Sequence, residues 1–407
     1  MNTGKAKPKK KHNRSLFYRI SAWLHLWLGL TSGIVIVIIC LTGITWSFKD
    51  EITDWLHPEL QSDYITDKPM LNPSALYQKA KKLFPDQEPS YIWRPTGKAV
   101  MIGYGKRNPG YVLYLDPYTG TVLQRPSFKE EFDFFEWTLN GHRYLWLPSE
   151  IGRPIINYST FIFFITLFTG LVLWWPRKWT KAMRKQSFLV KWDAKTKRLN
   201  YDLHNVFGFY AMVILLIIAI TGMYYGLPWF NKFLYFTTSL GKTQKKERRE
   251  LKNTAPFQPE KLSASVHTAW EDAAKKTKAK GYYLSIPQDS TETISLFLYP
   301  SHRQFYNLQN FSYDRNSGTA LSGNSTHAQS FEKADFATKV RKLNYDLHVG
   351  SALGGIWGRI LYFFYYHYRS ITSSYWISGL VVQEKEKNCL KFNHLIRKIN
   401  LIGFRNL

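Results

Sequence analysis

The sequence predicts an α-helical membrane protein: a four-span bundle carrying two periplasmic α+β domains, built as span, domain, span and then the same again. Three observations predict it. Apolar runs long enough to cross a bilayer recur along the chain, basic residues crowd the segments that one side of the membrane would hold, and spacings of histidine and glycine in the first half return in the second.

Residues 23–48, 155–175 and 206–227 are apolar runs, each reaching the roughly 20 residues a bilayer demands. The first is too long for a signal-peptide core and lacks a small-x-small cleavage site, so it reads as an anchor. A fourth run starts near Ala352 and is cut short.

The net charge is +26, a balance that generically suggests nucleic acid. Position gives the positives a different meaning. Lys5, Lys7, Lys9, Lys10, Lys11, Arg14 and Arg19 precede the first run, and Arg177, Lys178, Lys181, Arg184, Lys185, Lys191, Lys195, Lys197 and Arg198 fill the loop between the second and third. The positive-inside rule puts both in the cytoplasm, so lipid and not nucleic acid is the expected partner. Lys245, Lys246, Arg248 and Arg249 lie in an outer stretch, where charge matters little because long domains translocate regardless. Cys40 and Cys389 are the two cysteines. They allow no disulfide framework in the outer domains and no Cys-x-x-Cys metal or c-type haem site.

In order, the chain divides into a basic tail (1–20), span one (21–48), a first outer domain (49–141), an interfacial segment with span two (142–175), and a basic loop (176–203). Span three (204–227), a second outer domain (228–346), the start of span four (347–364) and an anomalous tail (365–407) follow. The first outer domain reads as a helix over 73–84 and strands near 91–94, 99–104 and 111–124. The second reads as a helix over 264–275 and strands near 282–286, 293–299 and 310–321. Each carries one turn of the same design, Asp116 to Gly120-Thr121 and Asp314 to Gly318-Thr319. Asp opens such turns through its side chain and Gly supplies the positive φ.

The repeat extends to the helices. His25 precedes Gly29 by four residues and Thr42-Gly43 by seventeen; His204 stands in the same relation to Gly208 and Thr221-Gly222. His142 precedes Gly152-Arg153 by the offset at which His348 precedes Gly358-Arg359, and Tyr-Asp-Leu-His ends at both His204 and His348. Small residues inside spans are explained by close helix packing, and Trp23, Trp27, Trp46, Trp174, Trp175 and Trp179 read mostly as an interfacial belt.

His25-Leu-Trp-Leu-Gly29, Thr169-Gly-Leu-Val-Leu-Trp-Trp-Pro-Arg177, Tyr201-Asp-Leu-His204 with Gly208, and Leu347-His348 with Gly358-Arg359 together resemble the PepSY-associated transmembrane proteins over about residues 15–364. These are bacterial inner-membrane proteins often described as iron-regulated, and the outer α+β units look like PepSY domains. The resemblance implies haem-containing ferric-siderophore reductases among the relatives. It makes a ferric siderophore or other iron chelate the expected electron acceptor.

With the amino terminus inside, His25 and His204 fall at the inner ends of spans one and three, and His142 and His348 fall on the outer side. A histidine at a membrane boundary is costly without a partner or a task, and a bis-histidine haem takes one imidazole on each face of its iron. The four histidines therefore read as ligands of two b-type haems, one per leaflet, against a reading as interfacial anchors. His142 precedes Pro148 and Gly152, which puts it on a short surface helix. Arg153 and Arg359 read equally as partners of haem propionates and as headgroup anchors. The remaining histidines, His12, His57, His267, His302, His327, His367 and His394, read as surface residues.

The expected function is di-haem transmembrane electron transfer, from a quinol or a separate cytoplasmic reductase to a periplasmic acceptor. No Gly-x-Gly-x-x-Gly fingerprint supports a dinucleotide site in the chain. The alternatives are a membrane scaffold whose PepSY-like domains bind peptides or inhibit peptidases, and an accessory subunit of siderophore uptake. Arg369 would fall at mid-membrane depth if span four continued. One extra nucleotide in a T-rich run coding Phe363-Phe364 would account for that; the alternative is a natural variant tail. With plausible codons, removing it restores an apolar segment ending in T-G-x-x-x-W-W, the pattern of Thr169-Gly170 to Trp174-Trp175.

Overall fold

The computed structural model describes residues 14–62, 70–105, 111–127, 132–243, 256–289, 292–322, 326–354 and 358–359. The expected fourth span beyond residue 359 and the tail at 365–407 lie outside them. In chain order the helices begin α1 (Leu16–Ser47), α2 (Lys49–Leu56), α3 (Pro73–Leu83), α4 (Phe134–Tyr144) and α5 (Ser149–Trp174). They continue with α6 (Lys181–Phe188), α7 (Thr196–Asp202), α8 (Gly208–Gly226), α9 (Pro228–Thr238), α10 (Leu262–Lys276) and α11 (Phe336–Val349). The strands are β1 (Pro89–Arg94), β2 (Val100–Tyr104), β3 (Tyr111–Leu115), β4 (Val122–Gln124), β5 (Gly281–Ser285), β6 (Ile294–Tyr299) and β7 (Gln309–Tyr313). Two compact units emerge. The first holds Met1–Thr42 and Gly141–Gly222, and the second holds Gly43–Asn140 and Met223–Tyr362, as far as the described residues go.

Among the described residues, the first unit is built on three helices long and apolar enough to cross a membrane: Leu16–Ser47, Ser149–Trp174 and Thr196–Gly226. They meet around Ile36, Cys40, Phe163, Leu167, Leu215 and Ala219. Their hydroxyls are tied to their own helices: Thr42, Thr166 and Thr221 donate to the carbonyls of Ile38, Ile162 and Ile217 at 2.7, 2.9 and 2.8 Å. That masks the polar groups an apolar surrounding would otherwise penalise. Trp23, Ile34 and Val213 are 60%, 65% and 60% exposed; large apolar faces of this kind need lipid, not water, against them. The third long helix starts at Thr196, ahead of the expected residue 204, and so takes up the end of the basic loop. Trp174 departs from the belt expectation. It is buried, its ring stacks on Phe209 at 3.7 Å, and its Nε1 donates to the Ser187 carbonyl at 3.2 Å. Its neighbour Trp175 is exposed, as an interfacial residue should be.

In the second unit the two α+β stretches, expected as separate domains, share a single antiparallel sheet in the order β4-β3-β2-β1-β5-β6-β7. The join is β1 to β5, with Ile92 opposite Leu284 and Trp93 opposite Tyr283, and the rings of Tyr91 and Tyr283 stack at 5.4 Å. Alone, each stretch would leave an unpaired edge strand, and mutual pairing removes both edges. Helices α3 and α10 cover one face, burying Leu76, Ala80, Val266 and Ala269 against Ile92, Ile102, Leu284 and Leu296 in one core.

The expected turns form alike. Asp116 Oδ1 accepts from the amides of Tyr118 and Thr119, and Asp314 Oδ1 accepts from those of Asn316 and Ser317. Gly120 and Gly318 sit at φ of +66° and +69°, the left-handed region that Gly enters at no steric cost.

Candidate cofactor-binding site

In the first unit the structure brings His25 of α1 and His204 together, with ring centroids 6.0 Å apart and planes at 63°. Two imidazoles on opposite sides of one metal, each with a metal–nitrogen bond of about 2.0 Å, place their centroids about 6 Å apart, because the nitrogen lies roughly 1.1 Å from the ring centre. Rotation about the shared axis leaves the interplanar angle free. His204 stands in a π-helical turn, Leu203–Phe207, between α7 and α8. Such an insertion turns a side chain off the regular helical stripe and often marks functional positions. Asp202, just before it, is fully buried and pairs with Arg198 Nε at 2.8 Å.

The oxygens around His25 Nδ1 favour one tautomer. Its Nδ1 lies 3.1 Å from the Thr166 carbonyl and 3.2 Å from Thr169 Oγ1. A carbonyl has no hydrogen to give, so Nδ1 must carry one, and the lone pair falls on Nε2. His142 of α4 repeats this arrangement: Nδ1 lies 2.9 Å from the Ile39 carbonyl and 3.4 Å from Thr42 Oγ1. Both rings are thus tied through Nδ1 to a carbonyl and to the threonine three residues after it, which is how protein chains orient metal-binding imidazoles.

A constrained turn holds His142. Leu145 and Trp146, which link α4 to α5, sit at φ of +54° and +57°, a region costly for large side chains. The Trp146 ring fills the space beside Gly141, where a Cβ would come within 2.3 Å, and a Cβ at Gly152 would lie 1.9 Å from the Tyr144 carbonyl oxygen. Arg153 donates to the Tyr144 hydroxyl at 3.3 Å and lies over its ring.

His348 belongs to the second unit, near the end of α11, where Gly350 at φ +78° closes the helix. Its ring meets that of Tyr225 edge-on at 6.0 Å. Arg359 does not stand open. Its Nη1 is 2.8 Å from both oxygens of Glu51, which also receives Arg303, while Asp54 takes Arg303 at 2.6 Å and Lys98 at 2.6 Å. A cavity of about 290 Å³ nearby is lined by Tyr224, Tyr225, Phe305, His327, Arg341, Lys342 and Tyr345. Lys342 is buried and donates to the carbonyls of Leu308 and Gln329 at 3.1 and 2.7 Å. Burial lowers its pKa to about 8.

Sequence reasoning missed the cavity and its lysine, and placed His327 on the plain surface. It explained the Thr-Gly pairs by helix packing, with room for a porphyrin as a compatible reading, and did not see their threonines as partners of histidine. The seventeen-residue spacing from a histidine marked Thr42-Gly43 and Thr221-Gly222, but not Thr169-Gly170.

The donor pair fits bis-histidine ligation of an iron porphyrin. Among the described residues no three His, Cys, Asp or Glu side chains converge as metal ligands. Two imidazoles are too few for a stand-alone zinc site, which takes four ligands, and they are the number an iron porphyrin requires. A family model described as the PepSY-associated TM region matches residues 22–366. No curated protein matches the chain.

Proposed function

The chain belongs to the PepSY-associated TM family, and we propose that it is a di-haem b-type protein that carries electrons across the bacterial inner membrane to a periplasmic ferric siderophore or other iron chelate. The observation that carries this reading is the 6.0 Å separation of the His25 and His204 rings. When bound, haem supplies a one-electron couple. The chain's own residues do the rest. His25 and His204 would hold the inner group through one ring nitrogen each. Thr166 and Thr169 hold the His25 Nδ1 proton away from the ligating side. The buried α1, α5 and α8 contacts exclude water from the neighbouring helix faces.

The outer pair, His142 and His348, rests on the duplicated spacing. A repeat of span, PepSY-like domain and span, with a fourth span completing it, is supported by further likenesses between the halves. The two Asp-initiated turns bond identically. A Cβ at Gly152 would strike the carbonyl two residues past His142, and a Cβ at Gly358 would strike the carbonyl two residues past His348, at 1.9 and 2.1 Å. Arg153 is the proposed propionate partner; Arg359 serves Glu51, a protein carboxylate. The cytoplasmic amino terminus follows from the basic loops, and the donor is a quinol or a separate reductase.

Proteoliposomes with reductant sealed inside test the proposal. Ferric chelate outside should be reduced by wild type and not by His25→Ala. Equal rates in the two, or a colourless and well-folded wild type, would favour the scaffold or uptake-accessory readings instead.

A further inference from the structure

We propose that Thr42 and Thr169 are imidazole-positioning residues, in which the threonine hydroxyl and the carbonyl three residues earlier together fix a facing histidine as its Nδ1–H tautomer. Thr169 Oγ1 donates to the Thr166 carbonyl at 3.0 Å. Its lone pairs are thereby turned toward His25 Nδ1 at 3.2 Å, while the same carbonyl takes Nδ1 at 3.1 Å. Thr42 donates to Ile38 at 2.7 Å and lies 3.4 Å from His142 Nδ1, with the Ile39 carbonyl at 2.9 Å. The same acceptor pair, a carbonyl at i−3 and a hydroxyl at i, is thus built twice, on different helices, for different histidines.

The glycine has its own task at position 170. A Cβ there would lie 3.0 Å from His25 Cε1, so the absent side chain makes room for the ring. Packing of small residues between helices does not account for this contact. On α1 a Cβ at Gly29 would meet Thr166 at an ordinary 3.8 Å, and one at Gly33 would meet nothing within 4 Å.

An Nδ1–H hydrogen bond raises the basicity of the opposite nitrogen and strengthens it as a ligand. Thr169 and Thr42 therefore act as positioning residues that hold a bound haem's potential down, by favouring its ferric state. The redox part of this inference rests on the haem reading; the tautomer belongs to the chain alone.

The test combines ¹⁵N NMR of histidine-labelled full-length protein in nanodiscs with redox titration of the same samples. Wild type, Thr169→Val and Thr169→Ser are compared, and His25 is assigned by difference against His25→Asn. Wild type should show a protonated His25 Nδ1. Thr169→Val should shift that proton's resonance and move one midpoint potential positive, and Thr169→Ser should restore both. An Nε2–H tautomer in wild type overturns the proposal without any variant. So does a serine variant that shifts as far as the valine one, or a valine variant with full haem and an unmoved potential. A wild type without haem defeats the proposed function, and the ¹⁵N result still decides this inference.

Discussion

Arg359 holds both carboxylate oxygens of Glu51 at 2.8 Å, although in the sequence this arginine reads equally as a partner for a cofactor carboxylate and as a headgroup anchor. Glu51 also receives Arg303 at 2.8 Å, so one carboxylate is shared by two guanidinium groups, with Asp54 as the second acid for Arg303, and the Arg359 side chain is only 5% exposed. Removing one partner of a buried pair strands the other charge and costs about 3 kcal/mol or more. Glu51→Gln should therefore lower the melting temperature markedly in detergent. Asp193→Asn, which breaks the solvent-exposed pair with Lys191, should leave it unchanged. Equal melting of the two variants would remove the network from the account of stability.

The glycines beside Arg153 and Arg359 give a steric prediction. A Cβ at Gly152 would lie 1.9 Å from a backbone oxygen, which no side-chain rotation can relieve. Gly152→Ala should destabilise by roughly 1–3 kcal/mol and reduce the yield of folded protein. Gly33→Ala, which faces open space, should be neutral or slightly stabilising by helix propensity. Thermal melts of the two variants against wild type settle the matter; indistinguishable curves would mean that α4 and α5 do not meet as described.

Lys342 predicts a pH dependence. Burial brings its pKa to about 8 in the folded state, against about 10.4 for an unperturbed lysine. Between those values the unfolded chain holds a proton that the folded chain lacks, so stability rises with pH across the window. Relative to Lys342→Met, wild type should gain stability between pH 8 and pH 10.5, on the order of 1 kcal/mol once solvent screening is allowed for. Parallel melting curves over that range would show that the amine is solvated or charged.

What was legible in the sequence was whatever repeats or follows a period. The three apolar helices, the strands flanking Asp116 and Asp314 and the identity of their turns all follow from local composition and spacing. The merger of two α+β stretches through β1 and β5 was not legible, because edge pairing depends on a partner far away in the chain. The π-turn at His204 was hidden for a related reason: Leu203–Phe207 is an ordinary helical sequence, and the inserted turn is a tertiary choice. At the candidate site, histidine spacing pointed to His25 and His204 as a pair, and their rings do meet. The acceptors of Nδ1 went unseen because Thr166 and Ile39 act through backbone oxygens, which every residue possesses.

The central claim is that His25 and His204 clasp one haem between them. The most direct measurement is a reduced-minus-oxidised optical spectrum of the purified protein, with haem content assayed in wild type, His25→Ala and His204→Ala. The expected result is a b-type spectrum with about two haems per chain, and loss of the same single haem in both variants. A folded wild type without the spectrum, or variants that each retain the full complement, would contradict it.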